Sequence, residues 1–326
     1  MHVVVTGGAG FLGQRLVREI LTRGELTDQQ DRRRKVERIT IFDQVAPQPA
    51  IDDSRVRVVT GDMNDPEVLK SALDGDADSI FHLASVVSGG AEADLQLGLK
   101  VNLDGTRLLL DLAADSGRKP KFLFASSLAV YGGPDATRVT DATTPTPMSS
   151  YGVQKLCCEY IIGDYDRRGL IDGRAMRFPT VAVRPGKPNL ANSSFISSVI
   201  REPLAGEETV CPVPDDLPIA LMSPGKLIGA VIRVHDLTSA EFGWPRTLVL
   251  PAVQVDVREM LDALEAVAGP EARARVRFAA NDGIISMVRS WPAEVTSERA
   301  RRLGIETDSD AMSFVRQYAE EQGIAR

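Results

Sequence analysis

Tyr151 and Lys155, in the run Tyr151-Gly152-Val153-Gln154-Lys155, stand one helical turn apart and so set a phenol beside an ammonium on one helix face. A phenol of ordinary pKa, near ~10, is a poor base at neutral pH, but an adjacent cation stabilises the phenolate. Such a pair could take a proton from a substrate hydroxyl. Ser126 and Ser127 end an apolar stretch in Phe124-Ala125-Ser126-Ser127-Leu128-Ala129-Val130-Tyr131-Gly132, where further hydroxyls would stand at the carboxyl edge of a parallel sheet. Open α/β folds bind their ligands at that edge.

A second constellation lies at the amino terminus, in Thr6-Gly7-Gly8-Ala9-Gly10-Phe11-Leu12-Gly13. It follows a strand-like run and opens a helical one, the context in which a glycine pattern predicts dinucleotide binding. Gly7 would permit the tight turn, Gly10 the approach of a pyrophosphate and Gly13 the packing of helix on strand, with amide donors from the helix start at Phe11 and Leu12. Asp43 closes the next strand, where its carboxylate could accept from both adenosine ribose hydroxyls and repel a 2′-phosphate, so NAD is expected rather than NADP. It would equally serve to cap a turn. Asp62, before Met63, could accept from the adenine amino group or cap the helix beginning near Pro66.

Three cysteines, two of them adjacent, and three scattered histidines make neither a disulfide framework nor a zinc site, and no metal is expected. The net charge of -7 argues against nucleic acid or an anionic membrane as partner, so an anionic ligand would need a few placed cations. The basic run Asp31–Lys35 reads as a solvated loop. No apolar run approaches the ~20 residues of a membrane span, and the first residues enter a strand directly, so the cytoplasm is the expected location.

Positioning these groups requires alternating strands and helices. Strands are expected over 2–6, 39–42, 55–59, 79–83, 121–125 and 174–183, each apolar enough for burial on both faces. Helices are expected over 11–22, 66–72, 93–114 and 150–167. The fold class is therefore α/β, a doubly wound parallel sheet of Rossmann type spanning about 1–184. Seven prolines between Pro185 and Pro224 then break the rhythm, and residues 185–326 read as a smaller, partly interleaved C-terminal lobe for substrate, with helices near 226–234, 256–267, 297–302 and 309–321.

Over nearly its whole length the chain resembles the extended short-chain dehydrogenase/reductase family, which includes nucleotide-sugar epimerases and dehydratases. The resemblance is carried by Thr6–Gly13, Asp43, Gly61-Asp62, Phe81-His82-Leu83-Ala84, Val101-Asn102-Leu103-Asp104-Gly105-Thr106, Ser126–Gly132 and Tyr151–Lys155. It implies that Tyr151 is the acid/base, that Lys155 also holds the nicotinamide ribose, and that Ser127 positions the reacting oxygen. It also implies that Leu83, Ala84 and Pro179 line the cofactor, beside Met63, that Ser126 shapes the strand end next to the cofactor, and that 93–114 and 150–167 form a homodimer interface. One departure narrows the choice: where epimerases carry an Arg that grips a sugar nucleotide, Leu217–Pro224 offers no cation. Val183–Asn189, Ile200–Glu207 and Ser85–Asp94 instead look like the branch that oxidises four-carbon sugar acids, the D-erythronate dehydrogenases. Arg184 and Lys187, then Arg201, would bind the substrate carboxylate, with Ser85, Ser88, Asn189 and Ser194 near its hydroxyls. An epimerase or dehydratase that retains NAD is the alternative.

Overall fold

His2-Val3-Val4-Val5-Thr6 is β-branched at its centre and forms a strand buried at every residue, β1 (His2–Thr6). The computed structural model describes residues 1–133, 136–186 and 193–324. Within them β1 lies in a seven-stranded sheet with β2 (Arg38–Asp43), β3 (Val56–Thr60), β4 (Ser79–His82), β5 (Lys121–Ser127), β6 (Asp172–Phe178) and β7 (Thr247–Val249), in the order β7-β6-β5-β4-β1-β2-β3. Strand β1 pairs in parallel with both β2 and β4, β2 with β3, and β4 with β5. The strand order therefore reverses at β1 and β4, and the crevice beyond their carboxyl ends is where such sheets bind ligands.

Helices α1 (Phe11–Arg23), α2 (Pro66–Leu73), α3 (Gly105–Asp115), α4 (Ser150–Arg167) and α5 (Pro224–Asp236) connect and cover these strands. Their starts are local chemistry. Asp65 accepts from the Glu67 and Val68 amides ahead of Pro66, and Ser149 accepts from Gly152 N–H at 3.1 Å, each satisfying donors that a helix start leaves bare.

Four expectations change. The helix expected over 93–114 is broken into Leu95–Gly98, a π-helical turn Leu99–Asp104, and α3. There Asn102 is buried and turned inward to polar partners, a role for which continuous α-helical periodicity carries no signal. The strand expected over 174–183 stops at Phe178, because Pro179 has no N–H for the ladder; Thr180–Val181 pairs instead with Ile219–Met222. The basic run is not a loop: Arg33–Lys35 pairs antiparallel with Glu25–Thr27, and Arg33 meets Glu25 at 3.0 Å and Asp236 at 2.9 Å. Strand β3 is an edge with Arg57 and Val58 exposed, and so is not buried on both faces.

By its contacts the chain divides into two units. One holds Met1–Val130, Ser149–Arg177 and Ile228–Leu248; the other holds Tyr131–Met148, Phe178–Leu227 and Val249–Arg326. The two units alternate along the chain, and most of α5 and β7 belong with the sheet. The second unit is built around a core that includes Val199, Ile200, Leu221, Leu261, Leu264, Phe314 and Val315. Its three-stranded sheet has Ile219–Met222 between Thr180–Val181 and Val253–Val255.

Candidate active site

The turn after β1 is fixed by its glycines. Gly7 sits at φ +69°, and a Cβ on it would lie 2.6 Å from the Ala84 amide nitrogen. At Gly13 a Cβ would lie 2.2 Å from the Gly7 carbonyl oxygen, so only hydrogen lets α1 press onto the turn. A Cβ on Gly10 would meet only that same oxygen, at 3.2 Å, leaving the helix start open on its other side. Gly10 brings no side-chain cap. The arrangement fits a dinucleotide pyrophosphate: a close backbone approach beside amide donors at a positive helix end. Phe11 and Leu12 are half-buried at this start.

Asp43, the last residue of β2, accepts from Ala9 N–H at 2.9 Å and from Gln44 N–H at 2.7 Å. It therefore ties the glycine turn to the end of β2 as a turn cap would, and an ionised carboxylate still has lone pairs for ribose hydroxyls. Asp62 accepts from the backbone and side chain of Asn64, with Lys100 at 3.6 Å. The Asn64 amide, first among these, holds its carboxyl below the usual carboxylate range. The cap of α2 falls to Asp65 rather than Asp62. Met63 is buried against Gly105, so its side chain is core. Leu83, Ala84 and Ser85 are half-buried beyond β4, and Pro179 is buried.

Ser127 ends β5, with Ala129 N–H donating to its Oγ at 3.1 Å. Tyr151, in the first turn of α4, is half-buried, and Lys155 one turn on is 2% exposed. The Lys155 ammonium donates to the Ala125 carbonyl at 2.8 Å and lies 4.6 Å from the Phe124 ring centre and 5.4 Å from that of Tyr151. A charged group buried this far must be hydrogen-bonded. These contacts place the cation beside the phenol and between α4 and β5. Ser126, expected beside the cofactor, has its hydroxyl committed elsewhere: it donates to Glu159 at 2.5 Å.

The sequence singled out Val101–Thr106 only as part of the resemblance, and His82 only there and as a poor metal ligand. The structure joins them in a buried polar chain. Thr106 Oγ1 donates to the Asn102 carbonyl at 2.6 Å, so toward His82 Nε2, 2.8 Å away, it must accept. The proton therefore sits on Nε2, and Nδ1 accepts from Thr6 Oγ1 at 2.6 Å, while Thr6 Oγ1 in turn accepts from Ala84 N–H at 3.3 Å. Burial, reinforced by the Lys155 charge, lowers the His82 pKa to about 3 and keeps the ring neutral. Asn102 also accepts from Val86 N–H at 2.7 Å and donates to the Val86 carbonyl at 3.1 Å and to Gln154 at 2.8 Å. The loop carrying Leu83, Ala84 and Ser85 is thereby fixed to α4 between Tyr151 and Lys155.

In the second unit Arg184 donates to Ser193 Oγ at 2.7 Å, and its own amide donates to Ser197 Oγ at 3.0 Å. No carboxylate pairs with it among the described residues; burial first and the Arg201 guanidinium second lower its pKa. Arg201, by contrast, is spent on Glu202 at 2.6 Å, Ser198 at 3.0 Å and the Arg184 carbonyl at 2.8 Å. That makes it a strut rather than a free carboxylate ligand. Lys187 and Asn189 lie outside the described residues. No group of three or more His, Cys, Asp or Glu suited to a metal occurs among the described residues, and none of their helices is long and apolar enough to cross a membrane.

A glycine turn opening onto a bare helix start, an acidic residue ending the next strand, and Ser127, Tyr151 and Lys155 on neighbouring elements together define a dinucleotide-using enzyme of Rossmann architecture. The chain belongs to the NAD dependent epimerase/dehydratase family, whose model matches residues 3–239. NAD is accordingly its cofactor. It is 46% identical over 327 residues to D-erythronate dehydrogenase of Cupriavidus necator, with both chains fully covered. To D-erythronate dehydrogenase of Haemophilus influenzae it is 38% identical, over 98% of this chain and 99% of that one. Among solved structures, one described as a nucleoside-diphosphate-sugar epimerase from Agrobacterium tumefaciens superposes with a TM-score of 0.92 at 36% identity, covering 100% of this chain and 95% of that one.

Proposed function

We propose that this enzyme oxidises the C2 hydroxyl of a four-carbon sugar acid, D-erythronate, to the 2-oxo acid. The observation that carries the reading is the full-length similarity to two D-erythronate dehydrogenases. The NAD nicotinamide, when bound, supplies the hydride acceptor. The chain's own groups handle the proton and the oxygen. Ser127 Oγ holds the C2 hydroxyl oxygen, the Tyr151 phenolate takes its proton, and Lys155, anchored to the Ala125 carbonyl, stabilises that phenolate and binds the nicotinamide ribose. Gly7, Gly10 and Gly13 with the start of α1 receive the pyrophosphate, and Asp43 receives the adenosine ribose.

The substrate carboxylate needs a cation, and Arg184 fits: it is half-buried and lacks a carboxylate partner among the described residues. The buried stretch Ile219–Met222 offers no cation for a diphosphate, which supports an acid over a sugar nucleotide. Assays with C4 to C6 sugar acids and with UDP-sugars test the reading. D-erythronate should give the highest kcat/KM with net NADH formation, and Arg184→Met should lower it by roughly 10²-fold or more, as when one partner of a buried charge pair is removed. Interconversion of UDP-sugars without NADH release would establish the epimerase alternative, toward which the Agrobacterium structure's description points.

A homodimer through 93–114 and 150–167 is supported by apolar side chains left exposed there, Leu95, Leu97, Val153 and Tyr160. Light scattering should give about twice the 35.3 kDa chain mass, and the chain mass alone would refute it. Three free cysteines support a reducing compartment and so the cytoplasm; localisation of a fluorescent fusion outside it would exclude that placement.

A further inference from the structure

Glu159 is buried at 3% exposure one turn beyond Lys155 on α4, and it faces two donors. Arg177 of β6 donates to both of its oxygens, through Nε at 3.0 Å to Oε1 and through a terminal nitrogen at 2.6 Å to Oε2. Ser126 of β5 donates to Oε1 at 2.5 Å. A buried ion pair is a weak source of stability, since the desolvation of both charges offsets their attraction and a well-packed apolar pair often does as well. What an apolar pair could not do is accept the Ser126 hydroxyl.

The consequence is geometric. Lys155 and Glu159 are successive turns of one helix face, and their partners, the Ala125 carbonyl and the Ser126 hydroxyl, are successive residues of β5 immediately before Ser127. Two rungs therefore tie α4 to β5, and Arg177 braces the second against the neighbouring strand. With one rung, α4 can pivot about the Lys155–Ala125 bond; with two, it cannot slide or rotate along β5 without breaking a buried hydrogen bond. We infer that Glu159, held by Arg177 and gripping Ser126, is a positioning residue that sets the separation between Ser127 and Tyr151. The inference rests on the Ser127–Tyr151–Lys155 reading above.

Removing Glu159 itself strands a buried guanidinium and risks unfolding the chain, so Ser126→Ala is the decisive variant. It deletes one hydroxyl and leaves the ion pair intact. With D-erythronate and NAD, kcat should fall about tenfold, within the range that a misplacement of about an ångström produces. The Kd for NAD should stay within twofold, and the primary deuterium isotope effect on kcat should rise as the chemical step becomes limiting. Glu159→Gln should follow the same pattern more severely. A Ser126→Ala enzyme with kcat within twofold of wild type, or one that loses NAD affinity by the same factor as kcat, would overturn the inference, since the rung would then be idle or merely structural. Tyr151→Phe measured alongside separates the two levels. If that variant keeps its turnover, the triad reading fails and this inference with it; if it loses turnover while Ser126→Ala does not, the positioning role alone is refuted.

Discussion

At the scale of single residues the proposed chemistry rests on one phenol, one ammonium and one hydroxyl held by elements that fix their own termini. Tyr151→Phe keeps the ring against Lys155 and removes the proton acceptor, so turnover should fall by ~10²–10⁴-fold while NAD affinity stays largely intact; residual turnover above about a tenth of wild type would rule out a general base there. Asp43→Ala should narrow the preference for NAD over NADP chiefly by weakening NAD binding, as measured by kcat/KM for both cofactors. An unchanged ratio would assign the discrimination to another group. That Tyr151 and Lys155 share a helix and that Ser127 ends a strand was legible because each placement rests on a local pattern, a helix start and a strand end. Glu159, Arg177, His82 and Asn102 were not, because their meaning lies in partners 16 to 76 positions away and a buried polar residue carries no periodic signal. Arg201 is committed partly to close neighbours, Ser198 and Glu202, and partly to the Arg184 carbonyl 17 positions away, and sequence proximity alone does not tell such a pairing from a free cation.

At the scale of elements, the glycine turn is the joint on which the proposed cofactor site depends. Gly13→Ala would force a methyl into the 2.2 Å approach to the Gly7 carbonyl, so α1 must move off the turn. A lower melting temperature and a loss of NAD affinity of about tenfold or more are expected in calorimetric titration; unchanged affinity would show that the turn tolerates the displacement. Strands β1, β2, β4 and β5 and helix α4 were readable because buried parallel strands give continuous apolar runs and helix starts have their own capping chemistry, while the edge strand β3 was readable from its β-branched residues alone. Two boundaries were hidden. Apolarity continues through Pro179 into a strand of another sheet, and the stretch before α3 keeps a helical pattern although it winds as a π turn.

At the scale of the whole molecule, stability should carry the mark of histidines buried in neutral form. Burial is the first cause in both cases, lowering His82 to about 3 and His235 to about 4 from 6.5. Between those values the unfolded chain binds protons that the native chain does not, so stability is lost as pH falls below about 6.5 and rises with pH across that window. Urea unfolding should show a decline of about 2 kcal/mol per histidine between pH 7 and pH 5, reduced in His82→Gln; a flat profile would mean that the rings are protonated in the fold. The β7 strand and the return of α5 to the sheet were invisible in the sequence, because short edge segments after a proline-rich stretch acquire their place only from the strand they join. The central claim, abstraction of a hydride from C2 of a sugar acid, is tested most directly with D-erythronate deuterated at C2. The account predicts net formation of NADH carrying that deuterium, a primary isotope effect on turnover and a 2-oxo acid product. Absence of NADH from D-erythronate, with UDP-sugars interconverted at constant NAD, would contradict it.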